Sequence, residues 1–395
     1  METVRVMRFW RDWRSGFALA ILVLLPVLAG AQTRYRVEDL STVQGGGAAQ
    51  SVTRPRAPAL PTLHDHRSPA QWGQAQTSPS TDERIALFKF VSIDVPNATG
   101  TLASDINPRG EIVGAYFDAS SNSHGFLLRH GKFTTIDVPG SLVGVPGMLW
   151  TEANGINPSG DIVGDYFAPP GAPGAPECQT ASSPACRRGF LYSHGQFSDV
   201  LVPGKKGSIA NGITPDGTIY GCGHDDDYLA SMFGFARTPP GTYTTLSVPA
   251  SMNNGATPDG KIVVGLYVDP PDQNGIYHGS VVQDGLFSPY DVPGSTFTLT
   301  WEINPAADFV GYYGDANGNQ HGFLQRWGEP APTSIDVPSG PPFNSTWTNV
   351  FGINSEGALV GLYADSAGTW HGFLAIPQEP DQAPVNKEGA GASGI

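Results

Sequence analysis

Ile156-Asn157-Pro158-Ser159-Gly160-Asp161-Ile162-Val163-Gly164 reads as a turn between two strands. Proline presets φ at the turn entry, glycine supplies the left-handed residue at its exit, and β-branched residues follow. The stretch recurs with variations, beginning at Ile106, Ile156, Ile213, Ala256, Ile303 and Ile353. The turn itself appears as Asn107-Pro108-Arg109-Gly110, Asn157-Pro158-Ser159-Gly160, Thr214-Pro215-Asp216-Gly217 and Thr257-Pro258-Asp259-Gly260. The fifth copy carries Ala307 for glycine and the sixth Ser355 for proline, so distorted hairpins are expected there. A unit of about 45 residues that cannot bury its own apolar face indicates a repeat architecture.

Outward from the turn, each unit contains four runs of strand length. The first is short, as in Ala153-Asn154-Gly155-Ile156, and the second is Asp161 to Phe167, apolar on both faces. Gly125 to Arg129 exemplifies the third run, and Phe133 to Pro139 the fourth. A run apolar on both faces fits a strand sandwiched between neighbouring sheets. Strand glycines such as Gly164 mark a bulge or close backbone packing. Four antiparallel strands in each of six units predict an all-β fold, a six-bladed β-propeller. The phase supports a closed ring. The domain opens on a fourth-type strand, Phe90 to Val95, and ends on a third-type strand, Gly372 to Ile376. The N-terminal strand can therefore complete the last blade and remove the exposed edges. An open β-solenoid is the alternative architecture.

The chain has 395 residues, 50 of them Gly and 35 Pro, and a formal net charge of −14. That charge argues against a nucleic-acid partner and against docking on anionic lipid. Residues 1–31 read as a signal peptide: Arg5, Arg8, Arg11 and Arg14 precede an apolar run from Phe17 to Leu28 and an Ala29-Gly30-Ala31 cleavage site. The run is short for a membrane span and Pro26 interrupts it, so no span is expected after cleavage; retention as an anchor is the alternative. A secreted, periplasmic or cell-envelope location follows. Residues 32–83 and 379–395 lack periodicity and read as a disordered leader and tail around a propeller domain, 84–378. In an oxidising compartment Cys178 and Cys186 are the plausible disulfide pair, and Cys222 is expected to be a buried thiol.

The repeat also resembles that of the secreted bacterial HAF-repeat proteins, which reads roughly I-N-x-x-G-x-I-V-G-x-Y, then H-G-F-L, then a run ending near I-D-x-P. The similarity spans about Phe88 to Ile376, with Arg188 and Phe233 in place of the histidine and Ser280 in place of the phenylalanine. The resemblance implies export and a repeat fold, and carries no catalytic residues.

Function is expected on the rim formed by the longer, irregular connections, opposite the uniform turns. Trp150, Glu152, Trp301, Glu302 and Trp347 are read as lying in inter-blade connections, with Trp370 before the last third-type strand. Aromatic rings beside carboxylates suit a glycan or an extracellular protein; the alternative is that the tryptophans seal the channel as core. Asp118, Asp225, Asp269, Asp315 and Asp365 recur after the strand glycine and are expected to cap the following loops. Asp315 and the acidic run Asp225-Asp226-Asp227 are also candidate calcium ligands, although Asp315 lacks the distal Glu of a calcium loop. His124, His278, His321 and His371 are expected to hydrogen-bond Asp137, Asp291, Asp336 and Asp94 within their blades rather than to hold a metal. No nucleophile motif is present, which favours a binding or structural module without a cofactor. The alternative function is a metal-assisted hydrolase or lyase at the channel mouth, or a glycosidase pairing Glu152 with Glu302.

Overall fold

The computed structural model describes residues 37–39, 88–139, 150–169, 178, 186–225, 228–246, 248, 250–271 and 275–378. The signal segment, most of the leader, the tail, Asp226 and Asp227 lie outside the described residues.

Strands β1 (Val37–Asp39) and β2 (Phe88–Ile93) precede the repeats. The first blade is β3 (Gly100–Ile106), β4 (Ile112–Phe117), β5 (Ser123–Arg129) and β6 (Lys132–Ile136). The second is β7 (Thr151–Ile156), β8 (Ile162–Phe167), β9 (Arg187–Ser193) and β10 (Gln196–Val200). The third is β11 (Gly207–Ile213), β12 (Ile219–His224), the short helix α1 (Tyr228–Ser231), β13 (Phe233–Thr238) and β14 (Thr242–Leu246). β15 (Ser251–Ala256), β16 (Ile262–Asp269), β17 (Ile276–Gln283) and β18 (Leu286–Tyr290) form the fourth. The fifth comprises β19 (Phe297–Ile303), β20 (Phe309–Gly314), β21 (Gln320–Gln325) and β22 (Thr333–Ile335). The sixth has β23 (Ser345–Ile353), β24 (Leu359–Asp365) and β25 (Trp370–Pro377) from one end of the domain and β2 from the other.

Each blade is an antiparallel sheet in sequence order, and the first strands of successive blades contact one another around a complete circuit, β23 against β3 included. The molecule is therefore a closed six-bladed β-propeller. Register pairs Phe88 with Pro377 and Ile93 with Gly372, so the N-terminal strand closes the ring as its phase predicts. The leader contributes a strand that its composition does not announce: Val37–Asp39 pairs with Thr244–Leu246 on the outer edge of the third blade.

Blades stack face to face through buried second strands; Ile162, Val163, Gly164, Asp165 and Tyr166 of β8 are all buried. Gly164 is required sterically, since a Cβ there would strike the Glu152 carbonyl and the Phe190 ring. Phe126, Phe190, Phe235, Phe309, Phe323 and Phe373 are fully buried between blades.

The turns do more than reverse the chain. Asn157 Oδ1 accepts the N–H groups of Ser159 (2.9 Å) and Asp161 (3.0 Å), while its Nδ2 donates to the Thr214 carbonyl of the next blade (3.5 Å). Asn107 donates likewise to Asn157 (3.2 Å), Asn304 to Asn354 (3.4 Å) and Asn354 to Asn107 (3.4 Å). In the third and fourth blades threonine replaces this asparagine, and Thr214 and Thr257 bond within their own turns. The expected distortion of the last two hairpins is not found. Ala307 adopts φ 65° and Gly357 φ 74°, and both turns keep the closing bonds of the other copies. The shared Asx hydrogen bonds of Asn304 and Asn354 hold the geometry whichever residue occupies the glycine or proline position.

Candidate functional site

All inner strands run from the long-loop rim to the turn end. Their pairing with the second strands aligns Leu102, Glu152, Ile209, Met252, Leu299 and Asn349 at one level of the channel. Nearer the rim lie Trp150, Phe297 and Trp347; nearer the turns lie Ser104, Asn154, Asn211, Asn254, Trp301 and Phe351, where every inner strand bulges. Leu102, Ile209, Met252 and Leu299 pack together with Phe351 and Trp301, so an apolar plug fills the middle of the channel.

This ladder corrects the placement of Trp301 and Glu302. Trp301 and Glu302 are not in an inter-blade connection but near the end of inner strand β19, two and one residues before the turn residue Ile303; Glu152 and Trp347, read as connections too, likewise lie within inner strands β7 and β23. Counting back from the turn isoleucine shows the difference: Trp150 stands six residues before Ile156, Trp301 two before Ile303. Trp301 packs edge-on against Phe351, centroids 5.2 Å apart, as part of the core, and its indole N–H is buried without a hydrogen-bond partner.

At the rim the structure brings together Trp347 and Trp370, centroids 6.3 Å apart, and places Phe117 6.1 Å from Trp370. Trp150 packs edge-on against Phe167 (5.6 Å) and bridges to Ser123. All these rings are partly exposed. Beside them, Gln320 donates to Asn349 Oδ1 at 2.5 Å.

Glu152 is not an open acceptor at this rim. Its side chain is 1% exposed and lies 3.7 Å from the Arg187 guanidinium, which also binds Asp165 through Nε at 2.6 Å and Nη2 at 3.1 Å. Asn154 donates to Asp165 as well (2.9 Å). Glu152 and Asp165 occupy the paired positions that hold Ile209 with Cys222, Met252 with Leu266 and Leu299 with Tyr312 elsewhere. The second blade therefore carries a buried ionic cluster where its neighbours carry apolar side chains. Buried His224 lies against it; burial first, and then the Arg187 charge, push its pKa down to about 4. The repeat comparison could have flagged Asp165, an acid among apolar equivalents; Arg187 and His224 gave no such signal.

Glu302 lies at a different level and has different neighbours, so the structure does not assemble Glu152 with Glu302 as a facing acid pair. Glu302 Oε1 accepts the Ile303 N–H (2.9 Å). Asp105, which sequence reasoning did not single out, occupies the equivalent position in the first blade. It accepts the N–H groups of Ile106 (2.7 Å) and Ile156 of the next blade (2.8 Å). Burial pushes Asp105 up to about 7; burial, then the Asp105 charge, push Glu302 well above the usual carboxylate range.

The histidines fall where expected. His124 Nδ1 lies 2.9 Å from Asp137, His278 2.9 Å from Asp291, His321 3.1 Å from Asp336 and His371 2.8 Å from Asp94. Asp118, Asp315 and Asp365 lie 3.6, 3.6 and 3.5 Å from Nε2 of His124, His321 and His371, and a tyrosine packs on each of the four rings. These three aspartates also cap their loops; Asp315 Oδ1 accepts from Asn317 and Asn319, both at 2.8 Å. Asp225 is bound instead by Lys205 (2.8 Å), away from Asp315 in the repeat order. Among the described residues no three His, Cys, Asp or Glu side chains converge as a metal site. Cys178 and Cys186 form the expected disulfide, Cα atoms 4.7 Å apart, and Cys222 is buried.

A cavity of about 380 Å³ lies away from the rim, between the third and fourth blades. Thr214, Asp216, Tyr220, Ala236, Asp259 and Lys261 are among its lining residues. It opens where threonine interrupts the belt of turn asparagines.

No family model matches the chain, and no curated protein matches it. Among solved structures, the chain is similar to AofleA from Arthrobotrys oligospora at 11% identity and TM-score 0.46, over 73% of this chain and 86% of that one. It is similar to a putative gluconolactonase at 14% identity and TM-score 0.43, over 75% and 97%. The β-propeller domain of the Trilobed protease from Pyrococcus furiosus gives 9% identity and TM-score 0.39, over 71% and 83%. The functional reading rests on the geometry alone.

Proposed function

We propose that this chain is an exported propeller of the HAF-repeat type that binds a glycan on its long-loop rim. The observation that supports this is the partly exposed Trp347, Trp370 and Phe117 group beside the half-buried Gln320 amide, which is anchored on buried Asn349. Flat rings cover the C–H faces of a sugar while amides exchange hydrogen bonds with its hydroxyls. The same rings suit an aromatic-seeking protein loop, which makes a protein partner the competing outcome. The opposite end is committed to turn bonds between blades. Binding to an array of neutral and acidic glycans should be lost in a Trp347→Ala, Trp370→Ala double variant that keeps the wild-type melting temperature. Unchanged glycan binding would move the site elsewhere.

The cleft between the third and fourth blades supports a second reading, because its volume suits a small molecule. Ala236→Trp would fill it. Loss of ligand in that variant, with binding intact in the tryptophan double variant, would favour the cleft.

A further inference from the structure

The bulged residues of the inner strands enclose a small axial cavity of about 20 Å³, lined by Ser104, Asn154, Asn211, Asn254, Trp301, Glu302 and Phe351. That volume accommodates about one water-sized occupant. Its chemistry follows from where the amide protons go. Asn254 Nδ2 donates to the Thr300 carbonyl (2.8 Å), which fixes the amide and leaves Asn254 Oδ1 to accept from Asn211 Nδ2 (2.9 Å). Asn154 Nδ2 donates to Asp165 (2.9 Å) and to the Ala210 carbonyl (3.2 Å). Each N–H group is thus directed sideways, into the next blade or the strand behind. The oxygens Asn154 Oδ1 and Asn211 Oδ1 accept no protein hydrogen bond, although Asn211 is only 7% exposed. Glu302 has a second carboxylate oxygen in the same position, its Oε1 alone being engaged.

Charge has the same sign as this donor set. The six inner strands carry no Lys, Arg or His, and their ionisable residues are Asp105, Glu152 and Glu302. Arg187 lies beside Glu152, but among the described residues no cation pairs with the other two. Two buried carboxylates without a counter-charge are costly.

We propose that this axial cavity is a cation site, with Glu302, Asn154 and Asn211 supplying oxygen ligands, Ser104 a hydroxyl, and Asp105 a neighbouring negative charge. Neutral amide oxygens with a carboxylate are hard donors, which selects Ca²⁺ over soft transition metals, and flexible coordination favours it over Mg²⁺. The ion would link the first, second, third and fifth blades at the axis, independently of any ligand on the rim.

The test uses the mature protein, freed of metal with a chelator. Calorimetric titration with CaCl₂ should give one saturable site per chain, and a hundredfold excess over Kd should raise Tm by about 4 °C. Glu302→Gln should weaken binding at least about tenfold. The Trp347→Ala, Trp370→Ala double variant should bind Ca²⁺ as wild type does. Terbium substituted for calcium reports position directly: excitation of tryptophan should sensitise its emission, and Trp301→Phe should abolish most of that signal while Ca²⁺ affinity persists. Absence of saturable binding to the wild type overturns the proposal. So does undiminished Ca²⁺ affinity in Glu302→Gln, or terbium emission that survives Trp301→Phe. If Glu302→Gln fails to fold, the wild-type titration and the terbium arm decide.

Discussion

His371 Nδ1 lies 2.8 Å from Asp94 Oδ1, although 277 residues separate them in the chain. Asp94 follows β2, and His371 belongs to β25, so this contact fastens the strand that closes the ring. The same His–Asp pair stitches three other blades, where both partners come from one repeat. Closure therefore reuses a bond already present inside the repeat.

Deleting residues 84–96 removes that strand and leaves β25 with an open edge. Its Tm should fall sharply, with a broadened unfolding transition in calorimetry. Asp94→Ala should cost far less, because the Asp94 carboxylate is half exposed and solvent already screens the contact. Equal losses for the two variants would contradict this ordering.

Ala307 occupies a left-handed position, φ 65°, that glycine fills in the five other copies of the turn. The left-handed conformation costs an L-residue about 1 kcal/mol, partly offset by the greater unfolded-state entropy of glycine. Ala307→Gly should therefore stabilise the fold by about 0.5 kcal/mol in denaturant titration. A loss of stability would show that the methyl group makes contacts worth more than the strain.

Arg187→Leu and Glu152→Leu should separate sharply. The first strands two buried carboxylates and should cost about 3–5 kcal/mol. The second leaves the Arg187–Asp165 pair in place and restores the aliphatic character of Leu102, Ile209, Met252 and Leu299, so it should cost under about 1.5 kcal/mol. Chemical denaturation of both variants checks the contrast; similar losses would mean that Glu152 is as necessary to the cluster as Arg187.

Stability should peak at mildly acidic pH. The hydrogen bond to Asp291 raises His278 and that to Asp336 raises His321, so their contribution is complete below about pH 6.5 and is lost as pH rises through the folded values. Asp105, pushed up to about 7, binds its proton more tightly when folded, so its contribution also falls as pH rises from about 4 to 7. Below that window the loop-capping carboxylates oppose further gain. Hydrogen bonds from Asn319 hold Asp315 down to about 2, and the stability it supplies above pH 4 is lost on acidification. Buried His224, held down to about 4, adds stability as pH rises to about 6.5, so melting temperatures without calcium should decline between about pH 6.5 and 8. A rise over that range would refute the assignment.

Sequence alone pointed to the blade count, strand order and ring closure, because turn residues and hydrophobic runs repeat at a local spacing and the phase shift of the first strand suits a closed ring better than an open solenoid. It also named the His–Asp partners, since the same pair recurs at the same offset. It placed both Trp150 and Trp301 in inter-blade connections, although the structure puts Trp301 inside an inner strand, four residues nearer its turn than Trp150. It gave no hint that Glu152 needs Arg187, that Asp105 joins Glu302 at the axis, or that Asn157 reaches the following blade. Those relations were decided by tertiary structure. They depend on which residue bulges and on what the neighbouring blades bring to the axis, and neither is a local property of a strand. The same Ile156–Gly164 stretch that counts the blades thus marks the end committed to holding them together.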